Sequence, residues 1–380
     1  MRIAYFNASL KRGQDGVTRC VFRTIDAARQ RGHVVTAVTS AMADMREDVA
    51  HVRVPSVALP LQPNYRIAIP ALRAFDRHLD EFQPDIIHVN SPCTLGWSAI
   101  QYARRAGIPV VATYHTHFPT YPKYYGMQSM EKVVWSLTRR FYNSVDRTFV
   151  PTEPILDELA HNGVERLQYL PNGFDSTLFS SAYRSETWRG RYGAGKHPVV
   201  LFVSRLVWEK DLRVLAAAEA RLRDAGSQHE MVVVGDGHAR AEFETMMPRA
   251  HFLGYQEGRA LAECYASSDI FVFPSTTETF GLVTLEAMAS GLAPVAARSG
   301  GAAELIRHGA SGLLCRPGDA ADLAYSLARL IADVDLRAGL ARGAVERAQL
   351  YEWNTVLDQL FRSYDELVLP AGVEVCSYAA

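Results

Sequence analysis

The 380-residue chain has only five cysteines, Cys20, Cys93, Cys264, Cys315 and Cys376, and no two of them form a C-x-x-C pair. An odd, scattered set provides neither a disulfide framework nor a structural zinc site, and it suits a reducing cytoplasm. Long apolar runs are also missing. None approaches the roughly 20 residues that a membrane span needs. The first apolar run, IAYF, is short and leads into polar loop residues, so no signal peptide is read there. Charge of one sign is absent overall: the net value of -1 removes the electrostatic case for a nucleic-acid partner.

Several motifs are missing too. The loop KRGQDGVTR has Gly13 and Gly16 but lacks the G-K-[ST] ending of a P-loop, although a phosphate-compatible turn remains open. No G-x-S-x-G elbow occurs. GDGHAR supplies Gly235 and Gly237, but Arg240 fills the third glycine position, and Tyr255 and Gln256 stand where a ribose-binding acid belongs. That speaks against a nicotinamide cofactor and leaves a tight turn beside a nucleotide, or a plain strand-helix turn. His115 and His117 make an H-x-H pair with no second cluster of matching spacing, so no metal is expected.

The composition, 48% hydrophobic and 21% charged, fits a soluble globular protein, and the length suits two domains. Apolar runs at Ile3–Phe6, Val34–Val38, Asp85–Val89, Val110–Thr113 and Asp146–Val150 read as strands. Helical spacing between them covers Val17–Arg31, Ala71–Phe82 and Gly96–Ala106. This β-α-β rhythm predicts a parallel, doubly wound sheet that Asp146–Val150 closes. LPNGFD, Leu170–Asp175, is turn-rich and marks a boundary. The rhythm restarts with strands at Val199–Val203, Met231–Val234, His251–Leu253, Ile270–Phe273, Val295–Ala297 and Leu313–Cys315. Helices Leu282–Ala289, Ala320–Asp333, Leu336–Gln349 and Trp353–Leu367 complete it. The expected domains are 1–175 and 176–352, with a C-terminal helix over about 353–380 packing back on the first. Two Rossmann-like domains with parallel sheets would face a central cleft with the carboxyl ends of their strands.

Polar groups gather at those strand ends. Arg205 and Lys210 follow Val199–Val203; together they suit two phosphates, or simply a solvated surface. Gly254, Tyr255 and Gln256 follow His251–Leu253, where a base can lie. Glu278 precedes the helix that contains Glu286, and a ligand bridging the helix N-terminus would use both. The plainer alternative makes them a helix-start charge and a buried structural acid. The backbone N–H groups of Phe280, Gly281, Leu282 and Val283 lie before the intrahelical ladder and suit an anion. His115, at a strand end, suits a polar contact to substrate.

These motifs resemble, in order and spacing, the retaining glycosyltransferases of family 4, which have the GT-B fold. The match runs through DGVTR, PDIIHVNSP, ATYHTHFP, PNGFDSTLF, SRLVWEKDL, VVGDGHAR, FLGYQ and ETFGLVTLEAMASG, and covers nearly the whole chain. The HT-x-FP-x-Y region is most similar to GDP-mannose-dependent α-mannosyltransferases and relatives that glycosylate diacylglycerol-type lipids. The resemblance implies that Glu278 contacts the donor sugar and Glu286 the ribose. It also implies that Arg205 and Lys210 bind the diphosphate without a divalent metal, that His115 lies on the acceptor side, and that Gly16 lets backbone approach the donor. Many relatives have two glycines in that loop; here Asp15 precedes Gly16. The implied reaction is transfer with retention, from GDP-mannose or a UDP-sugar to a lipid or glycan hydroxyl. A nucleotide-sugar epimerase on the same fold, and a non-catalytic nucleotide-sugar-binding module, are the competing readings.

The acceptor question turns on charge. Residues 1–175 have 20 Lys+Arg against 16 Asp+Glu, a surplus of 4 that the second half more than offsets. In YPKYYGMQSMEKVVWSLTRRFYN, aromatic residues mix with Lys123, Lys132, Arg139 and Arg140. Such a mixture suits peripheral contact with the inner face of a plasma membrane. It equally suits an ordinary amphipathic helix with Val133, Val134, Leu137 and Phe141 packed inward.

Overall fold

The computed structural model describes residues 1–8, 10, 16–39, 49–59, 62–68, 75–120, 128–192, 195, 197–278 and 280–369. Gly13, Asp15, Lys123, the stretch 71–74 of the expected helix Ala71–Phe82, and the end of the expected C-terminal segment lie outside the described residues. The chain divides into two compact units, one of Met1–Pro171 with the helix from Val356 onward, the other of Asn172–Thr355.

The first unit contains β1 (Arg2–Asn7), β2 (Val34–Thr39), β3 (Ala50–Arg53), β4 (Ser56–Leu59), β5 (Gln62–Ala68), β6 (Ile86–Val89), β7 (Val110–Thr113), β8 (Arg147–Val150) and β9 (Leu167–Tyr169). Seven of them form a parallel sheet in the order β3-β2-β1-β6-β7-β8-β9, while β4 and β5 pair as an antiparallel ribbon. The sheet does not close at Asp146–Val150, because β9 pairs beyond β8. Residues of β3 and β9 are half-buried or exposed, so these edge strands lack the continuous apolar run that marks the central ones. Helix Gly16–Gln30 follows β1 and helix Thr94–Ala106 follows β6.

The second unit contains β10 (Val199–Val203), β11 (Glu230–Val234), β12 (His251–Phe252), β13 (Ile270–Phe273), β14 (Ala293–Ala297) and β15 (Leu313–Cys315). Their order is β12-β11-β10-β13-β14-β15, all parallel. VVLFV, IFVF and APVAA are buried along their whole length, as strands covered on both faces must be. Each fully buried Val, Leu or Phe contributes about 1.5–3 kcal/mol, which makes this sheet the main anchor of the loops at its ends. Helix Leu282–Ala289 is apolar apart from the buried Thr284 and Glu286, and it ends in a Schellman turn. There Leu292 N donates to Ala287 O at 3.1 Å, Gly291 N to Met288 O at 3.1 Å, and Gly291 has φ 89°.

The last helix, Trp353–Val368, starts in the second unit and packs from Val356 onward as part of the first. It is held there by polar contacts at widely separated places in the sequence. Arg31 pairs with Asp358, and Arg147 with Glu366 at 2.6 Å. Ser363 donates to Gln168 Oε1 at 2.8 Å. At the centre, buried His88 joins Tyr364 OH at 2.5 Å through Nδ1 and Thr113 Oγ1 at 2.7 Å through Nε2. Burial, with the nearby His115 a smaller cause, pushes the His88 pKa down to about 3, so the ring is neutral.

Candidate active site

In an open parallel sheet, ligands bind outside the carboxyl ends of strands where the strand order reverses. In the second unit that point lies between the paired strands β10 and β13. The loop after β10 runs from Ser204 through a 3-10 turn, Trp208–Lys210, to Asp211. The loop after β13 leads to helix Leu282–Ala289. Lys210 and Glu278, 68 positions apart, form an ion pair across these two loops. Lys210 is buried and Glu278 half-buried, so the pair is poorly screened and its geometry is confined. An ammonium has three donors; one goes to Glu278, and the others suit further oxygens.

Neighbouring groups hold the loops. Asp211 Oδ2 accepts from Thr276 N at 2.9 Å and Thr276 Oγ1 at 3.0 Å. Thr277 Oγ1 donates to Glu209 O at 3.1 Å, and Ser299 Oγ to Thr276 O at 3.1 Å. Behind them the chain passes so close that only glycine fits. A Cβ on Gly300 would lie 2.1 Å from Glu278 O, and one on Gly301 1.9 Å from Phe280 O. A similar approach explains GDGHAR: a Cβ on Gly235, where φ is 132°, would lie 1.8 Å from Ser204 O. Gly300 and Gly301 are thus required by the packing of the loop after β13, and Gly235 by that of the loop after β10.

Gly281, with φ 88°, caps helix Leu282–Ala289, and its carbonyl accepts from Thr284 N and Leu285 N at 2.9 and 3.1 Å. The amides of Leu282 and Val283 therefore precede the ladder and point out of the helix start, toward which anions are drawn. The side chain of Phe280 is core, edge-on to Tyr351 at 5.9 Å, so only its backbone remains for a ligand. Glu286 is 4% exposed and accepts from Tyr265 OH at 3.0 Å.

The remaining sequence candidates are dispersed. Arg205 is exposed, with no ion-pair partner among the described residues. Tyr255 is exposed, and its hydroxyl donates to Glu257 at 3.2 Å. Gln256 folds back to donate to Leu253 O at 2.9 Å. Asp211, Thr276, Thr277, Ser299 and Tyr265 were not singled out from the sequence. The run SGG, Ser299–Gly301, after a strand is a signal that could have pointed to close packing there.

Among the described residues of the first unit, the strand ends β1, β6 and β7 carry neutral groups. Asn7 closes β1, and Ser91 Oγ donates to Asn7 Oδ1 at 2.9 Å. His115, two residues past β7, donates from Nε2 to Asn90 Oδ1 at 3.2 Å. Desolvation lowers the His115 pKa to about 4, so its imidazole is uncharged at neutral pH. His117 does not share its surroundings: its Nδ1 meets Tyr114 OH at 2.9 Å and its Nε2 lies 3.4 Å from Glu158. Among the described residues no three His, Cys, Asp or Glu side chains group as a metal site. Gly16 is the first residue of helix Gly16–Gln30.

Helix Glu131–Tyr142 departs from the inward-packing alternative. Phe141 is buried, but Val133 is 46% and Leu137 59% exposed. Met130, Val133 and Leu137 follow helical spacing, and Lys132, Arg139 and Arg140 are exposed with them. An open groove of about 370 Å³ beside them is lined by Trp97, Ile100, Gln101, Arg104, Leu137 and Arg140. Among the described residues no helix is long and apolar enough to cross a membrane.

Residues 14–178 match the model of "Glycosyltransferase Family 4", and residues 197–333 that of "Glycosyl transferases group 1". A GDP-mannose-dependent alpha-mannosyltransferase of Mycolicibacterium smegmatis is 34% identical over 97% of this chain and 98% of its own length. One of the same description from Corynebacterium glutamicum is 32% identical, over 97% and 89%. Among solved structures, sucrose-phosphate synthase from Thermosynechococcus elongatus superposes with a TM-score of 0.79 at 23% identity, over 96% of this chain and 98% of its own. Anabaena Alr3699/HepE in complex with UDP-glucose gives 0.78 at 23%, over 97% and 100%. At such identity the likeness concerns the fold, which is GT-B.

Proposed function

The chain belongs to family 4 of the glycosyltransferases, and from that premise we propose that it moves α-mannose from GDP-mannose to a lipid hydroxyl, with retention and without a divalent metal. That it is a glycosyltransferase using a nucleotide-sugar donor follows from the family itself. The observation that carries the finer reading is the Lys210–Glu278 pair across the loops after β10 and β13, beside the open N-terminus of helix Leu282–Ala289. It offers a cation and amides to a diphosphate and a carboxylate to sugar hydroxyls within one polar cluster.

In the reaction we assign, the acceptor oxygen attacks the anomeric carbon from the face that the phosphate leaves. The bond from that carbon to the phosphate oxygen breaks, through an oxocarbenium-like state. The acceptor proton passes to an oxygen of the departing diphosphate. Lys210, Arg205 and the amides of Leu282 and Val283 offset the negative charge that grows there, which is electrostatic stabilisation of the transition state. Glu278 orients the sugar, Glu286 the ribose, and Tyr255 and Gln256 border the base. His115, being neutral, contributes a hydrogen bond on the acceptor side and no charge. Gly16 lets the backbone at the start of its helix approach the donor.

The lipid acceptor is supported by the exposed apolar and basic face of helix Glu131–Tyr142. The protein then works in the cytoplasm, in peripheral contact with the membrane. The test is GDP release and product analysis with GDP-mannose alone, with diacylglycerol-bearing glycolipid vesicles, and with soluble oligosaccharides. Transfer to the vesicles with retained configuration supports the reading. Transfer to the soluble glycan alone overturns the lipid acceptor, isomerised sugar without transfer overturns the transferase assignment, and inversion overturns the mechanism.

A further inference from the structure

Asp211 stands where a helix N-cap belongs, immediately before helix Leu212–Asp224. An aspartate there ordinarily turns its carboxylate onto the first amides of its own helix. Asp211 does not: its side chain makes no cap bond, and only its backbone carbonyl accepts from Val214 N and Leu215 N, at 3.0 and 3.2 Å. The carboxylate instead crosses to Thr276, 65 positions away, where Oδ2 accepts from both the amide and the hydroxyl. The backbone at Asp211 is left-handed, with φ 55° and ψ 36°, a conformation that only a few residue types tolerate. So the residue forgoes its local bonding and takes a costly backbone conformation, and in return it joins two loops.

The place of that junction matters. Asp211 directly follows Lys210, and Thr276 lies two residues before Glu278. The far side of the Thr276 loop is already fixed, by Ser299 Oγ on Thr276 O at 3.1 Å and by Gly301 N on Glu278 O at 3.2 Å. On the side toward Lys210, besides the Lys210–Glu278 pair itself, the loops are tied by Asp211 and by the weaker bond of Thr277 Oγ1 to Glu209 O. We propose that Asp211 is a positioning residue that latches the loop after β10 to the loop after β13 and so sets the distance between Lys210 and Glu278. This deepens the function proposed above and rests on it. Asp211 need touch no substrate to act.

The two loops hold the cation and the carboxylate that would act on phosphate and sugar, so a loose latch displaces both at once. A displacement of about 1 Å in a positioning group can cost on the order of 100-fold in rate. The test uses Asp211→Gly, Asp211→Asn and Thr276→Val, with GDP release from GDP-mannose in the presence of diacylglycerol-glycolipid vesicles and thermal unfolding as readouts. Glycine adopts φ 55° without strain, so Asp211→Gly separates the latch from the backbone. Its Tm should hold or rise while kcat falls by roughly 10- to 100-fold. Asp211→Asn keeps an acceptor oxygen and tolerates the left-handed backbone, so it should recover most of that loss. Asp211→Gly with Thr276→Val should be no worse than the poorer single variant, because both remove one contact.

Wild-type kcat in Asp211→Gly overturns the latch, as does a lowered Tm with undiminished turnover per folded molecule. Lys210→Ala, measured alongside, separates the two levels of the argument. If it too keeps full turnover, the assigned role of Lys210 fails. If it is inactive while Asp211→Gly is not, the latch alone fails.

Discussion

The two sheets repeat one strand order and differ in what stands at the carboxyl ends of their strands. At β10 and β13 the groups are charged and tied to one another: Lys210 to Glu278, and Asp211 to Thr276. Among the described residues, those gathered at β1, β6 and β7 are neutral: Asn7, Asn90, Ser91 and His115. A leaving diphosphate needs fixed positive charge, whereas a hydroxyl acceptor needs hydrogen-bond geometry and no net field. Under the proposed function, the same architecture would accommodate two chemistries through a few side chains at strand ends.

The sharpest way to break this contrast is to remove a charge from the second unit. Glu278→Gln and Lys210→Ala should each lower turnover of GDP-mannose by at least about 100-fold, the size of a lost transition-state contact, while far-UV circular dichroism stays unchanged. Near-wild-type rates from either variant would remove it from the catalytic set. In the first unit the loss should be smaller. His115→Ala should cost about 5- to 30-fold, as for a hydrogen bond worth about 1–2 kcal/mol. The depressed pKa gives that comparison a sign. With its pKa near 4, His115 is neutral above that value, and it gains charge only as pH falls through it. The pH-rate profile should therefore show no limb from His115 between roughly pH 5.5 and 8. A limb there that disappears in His115→Ala would contradict the lowered pKa of the ring.

A third change leaves both strand-end clusters alone. Arg139→Glu with Arg140→Glu should weaken sedimentation with anionic vesicles by about tenfold or more, at roughly 1 kcal/mol per basic residue. Donor binding, read as thermal stabilisation by GDP-mannose, should not move. Wild-type binding should fade with salt as the Debye length shrinks below about 8–10 Å. No affinity at low salt would detach the exposed face from membranes. The smallest effect is expected from a chelator. If Lys210, Arg205 and helix amides offset the diphosphate, EDTA should leave turnover within measurement error; loss restored by magnesium would refute metal independence.

Much of the fold is legible in the sequence. The buried strands of the second unit announce themselves as unbroken apolar runs, since both faces of VVLFV and IFVF need cover. The edge strands β3 and β9 do not, because half-exposed residues carry no such pattern. Lys210 and Glu278 stood out as charges at strand ends, yet nothing in their spacing says that they touch. Asp211 was masked by its own local logic, since an aspartate before a helix reads as a cap. Helix Glu131–Tyr142 shows the opposite limit. Periodicity gives the apolar stripe, but whether a neighbour covers Val133 and Leu137 is a tertiary fact.

One feature of the first unit also bears on how the chain is made. His88 and Tyr364 meet across 276 positions, and the helix that brings Tyr364 is the last described element. On a ribosome, the first sheet emerges long before its final covering helix exists. At about 5–20 residues per second, the 184 residues of Asn172–Thr355 take on the order of 10–40 s to synthesise. Throughout that interval the face that will receive Phe361 and Tyr364 is uncovered, while the second unit carries all of its own strands and closes its core as it emerges. The nascent amino-terminal half is therefore the part that needs shelter from aggregation until helix Trp353–Val368 has been made.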